Sequence, residues 1–302
     1  MTPIEHLALA GLTVLNVVVC WFLPGLTRPD LYFAITVAPG LREDAAGLSI
    51  LRRYRIELAC MSTVVIAGVA ASVWWWPAGF LRAALLFQVA ASLVVLNRAR
   101  AAVKPHALRP STVREADLHR NNRRAVPGGW VVAAGPYVLL AVTHRGTGGQ
   151  LLGTMAALMA TSIMLYGIAH WTRFVKAGDP WELKFRRTSS VIVVCAEYLI
   201  AARPASGAIA PLLSLVFLMG ATIALARLGQ GGNRGARDVP PVGDRMPDER
   251  WFMGVIYFNR ADPAILIEKR FGLGYTFNFA RPMTWAVLFV LLASALVPLL
   301  YR

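Results

Sequence analysis

Acidic residues are scarce in this chain: 16 Asp and Glu stand against 31 Lys and Arg in 302 residues, and charged residues of both signs make up only 16%. An average soluble domain carries about a quarter charged residues, so with 57% apolar residues and a positive mean hydropathy the composition argues against a soluble domain. Cysteine is nearly absent. Cys20, Cys60 and Cys195 each fall inside an apolar run, with no CxxC spacing, which excludes a secreted disulfide framework and leaves them as small buried hydrophobes, reduced and inert. Enzyme signatures are missing as well. No HExxH is present, the five histidines (His6, His106, His119, His144, His170) form no i, i+4 pair, and neither a G-x-S-x-G elbow nor a Walker loop occurs. FGLGYTF contains a G-x-G but no third glycine and no βαβ frame, so it is a turn. Neither a catalytic role nor a cofactor is expected.

What the chain does have is long apolar runs. A bilayer is crossed by roughly 17–25 apolar residues, and eight candidate spans fit, at about 5–24, 56–76, 79–97, 129–144, 151–171, 189–203, 206–227 and 283–301. The first has no Lys or Arg ahead of it and an apolar run longer than that of a signal peptide, so it is an uncleaved span. The fourth and sixth are short and interrupted, at Gly135-Pro136 and at Glu197. Trp74, Trp75 and Trp76 before Pro77 read as an interfacial belt.

The net charge of +15 sits in blocks between these runs rather than on one solvated face, so topology and not nucleic-acid binding explains it. With the loops between spans 1–2, 3–4, 5–6 and 7–8 on the cytoplasmic side, those loops hold 5, 8, 5 and 9 Lys and Arg, counting Arg227 at the end of span 7, or 27 of 31; the other four are Arg82, Arg145, Arg203 and Arg302. None of the loops exceeds the roughly 60 residues over which the positive-inside bias acts. Both termini are then outside, and the basic loop at 98–128 lies against anionic lipid.

Loop composition divides the chain into a seven-span part (1–227), a Gly- and Pro-rich linker (228–247), a β-containing module (248–282) and a last span (283–302). In the module, Trp251–Phe258 reads as a strand, 259–263 as a turn and Ala264–Glu268 as a second strand; Gly272 and Gly274 mark a second reversal before the alternating Tyr275, Phe277 and Phe279. A lone hairpin is marginal in water. The run Leu31–Val37 in the first loop is the expected third strand, followed by a short helix from Ala45 to Tyr54 that leads into span 2. GDPWELKFRR at 178–187 and ADPAILIEKR at 261–270 share a weak internal echo. The expected fold is therefore an all-α polytopic membrane protein of about eight transmembrane helices, with a small cytoplasmic β-containing module formed by the first and last cytoplasmic loops.

Glu197 is the one carboxylate well inside a span. Inserting an acid there costs roughly 2.5–3.5 kcal/mol, so it either hydrogen-bonds other spans, with Gln88, Asn16 and Tyr137 as candidate partners, or serves a proton, ion or ligand path.

The string W-x-x-G-x-x-Y-x-N-x-x-D-P-x-x-x-x-x-K-R-x-G-x-G-Y-T-x-N-F-A-R-P, from Trp251 to Pro282, resembles the C-terminal domain of a bacterial membrane-protein family of unknown function, related to SdpI-type immunity and signalling proteins. PDLYFAITVAP and ILRRYR are similar to that family's first loop. Family members usually have Pro where Arg260 stands. The resemblance implies a non-catalytic protein that senses or binds a protein or peptide partner at the cytoplasmic module. Its candidate functional residues are Tyr257, Asn259, Asp262, Pro263, Lys269, Arg270, Gly272, Gly274 and Asn278, with Glu197 added from the bilayer. The alternative is a small-solute or ion transporter, with Glu197 and the proline-interrupted spans at Pro136 and Pro211 lining a path.

The charge asymmetry predicts the outcome of reporter fusions. A reporter active only in the cytoplasm is expected to be active after Lys104, Lys184 or Asp244 and inactive after Gly148 or Arg302. Activity at Arg302 would overturn the count of eight.

Overall fold

The computed structural model describes residues 3–28, 30–38, 40–75, 78–108, 129–144, 147–170, 180–229, 232, 246–272 and 274–300. Eight α-helices are present among them: α1 (Pro3–Leu26), α2 (Ala45–Trp75), α3 (Ala78–Val103), α4 (Gly129–Thr143), α5 (Gly148–His170), α6 (Pro180–Ser206), α7 (Ala210–Leu228) and α8 (Pro282–Leu300). Proline and glycine mark some of their ends, although Pro24 and Pro136 stand inside α1 and α4. Pro211 sits in the first turn of α7 and Pro282 opens α8, where the missing N–H is no loss, and α7 ends at Gly229 with φ 75°. The short helix expected from Ala45 is continuous with the span behind it, giving the 31 residues of α2.

Four helical segments among the described residues are long and apolar enough to cross a membrane: His6–Leu26, Phe80–His106, Gly148–His170 and Ala210–Leu228. These support a membrane protein; eight spans are not supported on this criterion. Gly129–Thr143 and Pro282–Ala293 are apolar but shorter. The helix α6 carries Glu182, Lys184, Arg186 and Arg187 near its start and Glu197 and Arg203 further along, which lowers its apolarity. Yet all eight helices turn large apolar side chains outward, among them Leu7, Val64, Leu86, Val131, Met159, Val191, Val216 and Phe289. Cys60 and Cys195 belong to this outward surface, so only Cys20 is even partly buried, contrary to the expectation for all three; each is a free thiol.

The α2–α3 hairpin packs with α1, the helices α4 and α5 pack on α6, α8 lies on α5, and α7 bridges α1 and α6. Tyr54 on α2 donates to the carbonyl of Cys20 on α1 at 2.9 Å. Gln88 on α3 donates to Ser62 on α2 at 3.0 Å, and Ser92 donates to Asn16 on α1 at 3.2 Å, closing a polar link inside this three-helix group.

The strands differ from expectation. Leu31–Val37 is no single strand but a tight hairpin of β1 (Leu31–Tyr32) and β2 (Ile35–Thr36), because Phe33 and Ala34 adopt φ of 46° and 63° and reverse the chain. Trp251–Phe258 is likewise broken: β3 (Trp251–Phe252) turns through Met253 (φ 52°) and Gly254 (φ 72°) into β4 (Ile256–Tyr257). The second expected strand shortens to β5 (Leu266–Glu268), paired with β6 (Tyr275–Phe277). These are three separate two-stranded sheets, so the first loop does not extend a module sheet as a third strand. Within the module, the β3–β4 and β5–β6 hairpins are joined by a bridge from Tyr257 to Asn278 and by Thr276 Oγ1 donating to the carbonyl of Val255 at 3.2 Å.

The β1–β2 hairpin is seated in the principal apolar core. Phe33 is fully buried among Tyr54 and Leu58 of α2, Val95, Leu96 and Ala99 of α3, and Phe271 of the module. Its ring meets Tyr54 edge-on at 4.9 Å and stacks on Phe271 at 6.4 Å. Gly254 comes so close to this seat that a Cβ there would lie 2.6 Å from Ala34 Cβ and 2.6 Å from Arg100 Nη1, so the module can approach only with glycine at that turn. Trp74 and Trp75 of the expected interfacial belt end α2, whereas Trp76, most of the basic loop, most of the linker and the start of the 178–187 echo lie outside the residues whose placement is described.

Candidate functional site

Arg270 is the centre of the module. Its side chain is wholly buried, and a buried guanidinium is tolerable only when paired and hydrogen-bonded. It forms an ion pair with Asp248, donates to the carbonyl of Met246, reaches the Ala34 carbonyl and Thr36 Oγ1 at 3.4 Å each, and lies over the Trp251 ring at 5.4 Å. Asp248 in turn accepts from Thr36 Oγ1 at 3.0 Å and faces the Thr36 amide at 3.4 Å. The Ala34 carbonyl also accepts from Arg100 of α3 at 2.7 Å. Three distant parts of the chain therefore converge on the β1–β2 turn: Ala34 and Thr36 offer acceptors and a hydroxyl, α3 supplies one arginine, and the module supplies another with its carboxylate. The first loop and the module touch through these side chains and not through a shared sheet.

Tyr257, Asn259, Asp262 and Asn278 form a second group. Asn278 Nδ2 donates to the carbonyls of Asn259, Asp262 and Ala264 at 2.8, 3.1 and 3.2 Å, and its Oδ1 accepts from the amides of Asn259 and Ala280 at 3.1 and 3.2 Å. Asp262 Oδ1 accepts from the Ala264 amide at 2.9 Å, an Asx turn across exposed Pro263, while Oδ2 accepts from the Tyr257 hydroxyl at 3.1 Å. Asn259 uses Oδ1 on the Ala261 amide and Nδ2 on the Tyr257 hydroxyl, both at 3.0 Å. Arg281 Nε adds a bond to the Asp262 carbonyl at 2.9 Å, and Thr284 Oγ1 on α8 donates to the Asn278 carbonyl at 2.7 Å. These side chains hold backbone to backbone. They fix a turn that has no regular secondary structure and lock it to the first turn of α8.

Gly272 and Gly274 stand at φ of 101° and 96° in the β5–β6 turn, where the Lys269 amide donates to the Gly274 carbonyl at 3.1 Å; their need is conformational, since a Cβ would meet nothing closer than Lys269 Cδ at 3.7 Å. Burial pushes the Lys269 ammonium below the usual lysine range.

Glu197 lies apart from all of this. It is fully buried between α4, α5 and α6, where Ser162 Oγ donates to its Oε1 at 2.8 Å and the Tyr137 hydroxyl stands 2.8 Å from Ser162 Oγ. Of the three expected partners only Tyr137 is in this network, and through Ser162; Gln88 and Asn16 satisfy each other's neighbourhood on α1–α3, because the two helix groups bury their polar residues separately. A cleft of about 550 Å³ between α6 and α7 is lined by Arg203, Ser206, Pro211, Ser214 and Phe217 among others, and Glu197 and Pro136 are not among its lining residues. Glu197 meets Ser162 of α5 instead.

Sequence reasoning missed Thr36, Ala34, Arg100 and Asp248 as a unit. Asp248 opens the module and Gly254 stands in the matched string, but nothing local marks what they meet some 200 residues away.

The remaining face of the module is outward. In the β3–β4 register Trp251 pairs with Tyr257 on the inner side, rings 4.9 Å apart, and Phe252 pairs with Ile256 on the outer side. Phe252, Met253, Ile256 and Phe258 are all exposed, and Arg260 lies 6.0 Å over the Phe258 ring.

Removing the Asn278 side chain is expected to separate a structural motif from an exposed one. Asn278→Ala removes a donor from three carbonyls, of which the Asp262 carbonyl keeps Arg281, and an acceptor from two amides, and should lower stability by roughly 2–4 kcal/mol. Asn278→Asp, which sets an acceptor against the same carbonyls, should be no better; thermal unfolding of the purified protein checks both. Among known proteins, a family described as a family of unknown function (DUF5808) matches residues 260–285, a small part of the chain that includes Asp262, Arg270, Gly272, Gly274 and Asn278. That match carries no link to SdpI-type proteins, and no curated protein and no solved structure matches the chain.

Proposed function

We propose that this chain is a non-catalytic bacterial inner-membrane protein that binds a protein or peptide partner through its cytoplasmic module. The outward face of the β3–β4 hairpin carries the proposal. Phe252, Met253, Ile256 and Phe258 form an exposed apolar group on a ribbon whose other face is packed on Trp251 and Tyr257. Aromatic residues with a flanking arginine are the side chains over-represented at interface centres. The motif residues support the same reading from the other side. They are spent on backbone hydrogen bonds and on the Arg270 pair, so they rigidify the ribbon and lower the ordering cost of binding.

The topology belongs to this proposal. Eight spans with both termini outside agree with the 27 of 31 Lys and Arg in alternate loops and with the apolar side chains that every helix turns outward. The basic loops then face anionic lipid, and the clasped first loop and module lie on the cytoplasmic side. By the resemblance of Trp251–Pro282, the partner belongs to immunity or signalling of the SdpI type: a toxic peptide or a cytoplasmic regulator.

A photoreactive residue at Phe252 or Ile256 in the intact membrane-inserted protein is expected to give a discrete protein or peptide adduct, lost when Phe258→Ser and Arg260→Ser are added and absent when the probe replaces buried Trp251. Lipid adducts alone at Phe252 and Ile256 would contradict the proposal and place this face against the bilayer.

A further inference from the structure

Glu197 is the fully buried acid that neither the clasp nor the hairpin face uses. Its two oxygens are unequal. Oε1 accepts from Ser162, whereas Oε2 is buried with no hydrogen-bond partner among the described residues. Because the Ser162 proton is directed at Glu197, the short contact to Tyr137 requires the tyrosine to donate, so one directed chain runs from Tyr137 on α4 through Ser162 on α5 to Glu197 on α6. The Thr161 hydroxyl is close by, but its proton is shared by the carbonyls of Ala157 and Leu158. The helices are held at this level by Gly135, whose missing side chain leaves the space that the Tyr198 hydroxyl fills, 2.0 Å from where a Cβ would stand.

The surroundings decide what Oε2 can bind. Packed against α6 near Glu197, α4 presents Tyr137, α5 presents Ser162 and Thr161, and α6 itself carries Tyr198; the α7 side across the cleft offers Leu213, Ser214 and Phe217. Among the described residues no arginine, lysine or histidine pairs with Glu197, and the group is not on the cleft. Among the described residues no group of three or more His, Cys, Asp or Glu could hold a metal ion. A proton fits. Toward the start of α6, Ser190 and Arg186 lie seven and eleven residues before Glu197, on the same helix face, and both are buried. The hydroxyls of Ser189 and Ser190 have no hydrogen-bond partner among the described residues. These polar positions stand on the face of α6 that carries the carboxyl group, two turns before it, with Val194 of the apolar interface between.

We propose that Glu197, Ser162 and Tyr137 form an exchangeable proton-binding site inside the helix bundle, loaded along the Arg186–Ser190 face of α6. Uptake adds one proton from water to Oε2 of the carboxylate and gives the neutral acid, while Oε1 keeps the Ser162 hydrogen bond; release reverses it, and no other bond changes. The site is independent of the partner-binding face.

The test is infrared difference spectroscopy of the full-length protein in lipid, comparing the parent with Glu197→Gln across a pH titration and after transfer to heavy water. The parent is expected to show a protonated-carboxyl C=O band, absent from Glu197→Gln, that grows as pH falls and shifts on deuteration. Ser162→Ala should keep the band and move its frequency and its midpoint, since it removes the bond to Oε1; this variant serves if Glu197→Gln fails to fold. Absence of the band at every pH would overturn the proposal. So would a band that neither titrates nor exchanges, which marks a sealed structural acid.

Discussion

The carbonyl of Ala34 is the point on which the joining of the first loop to the module depends. It is presented by a two-residue turn in which Phe33 and Ala34, neither of them glycine, both have positive φ, a conformation costing on the order of 1–3 kcal/mol per residue. Such a turn persists only where its surroundings over-determine it. Here Phe33 is driven into the core of α2, α3 and Phe271, and the Ala34 carbonyl accepts from Arg100 and faces Arg270. The second guanidinium is in turn admissible in a buried site because Asp248 and the Met246 carbonyl complete its shell. Turn, arginines and carboxylate are thus mutually conditional.

This dependence gives physical meaning to the string from Trp251 to Pro282 without invoking chemistry at it. Asn278, Asp262, Asn259 and Tyr257 replace the hydrogen bonds that two-residue strands are too short to provide. The module has little regular structure, so its rigidity comes from side chains bonding to backbone, and its outer ribbon face is exposed. The module is joined, through Arg270 and the β1–β2 turn, to α2 and α3.

The helices were legible because apolar runs ending at Pro and Gly, and cations clustered between them, are local features. So were the turn at Asp262-Pro263 and the glycines 272 and 274. The two broken strands were not legible: Phe33-Ala34 and Met253 carry no turn signature, and positive φ at such residues is imposed by distant packing. For the same reason Glu197 could be singled out by its position in an apolar run, but its partner Ser162 could not be chosen over Gln88 or Asn16, since that choice depends on which helices pack. The pairing of Thr36 with Asp248 spans 212 residues of sequence and leaves no trace in either local stretch.

The most direct measurement is a distance between Phe33 and Phe271, which the account places in stacked contact across the clasp. In a background with Cys20, Cys60 and Cys195 replaced by serine, Phe33→Cys with Phe271→Cys is expected to crosslink with a short bifunctional reagent, and Arg270→Met is expected to abolish that crosslink. Failure of the pair to crosslink in folded, membrane-inserted protein would mean that the module is a separate tethered unit.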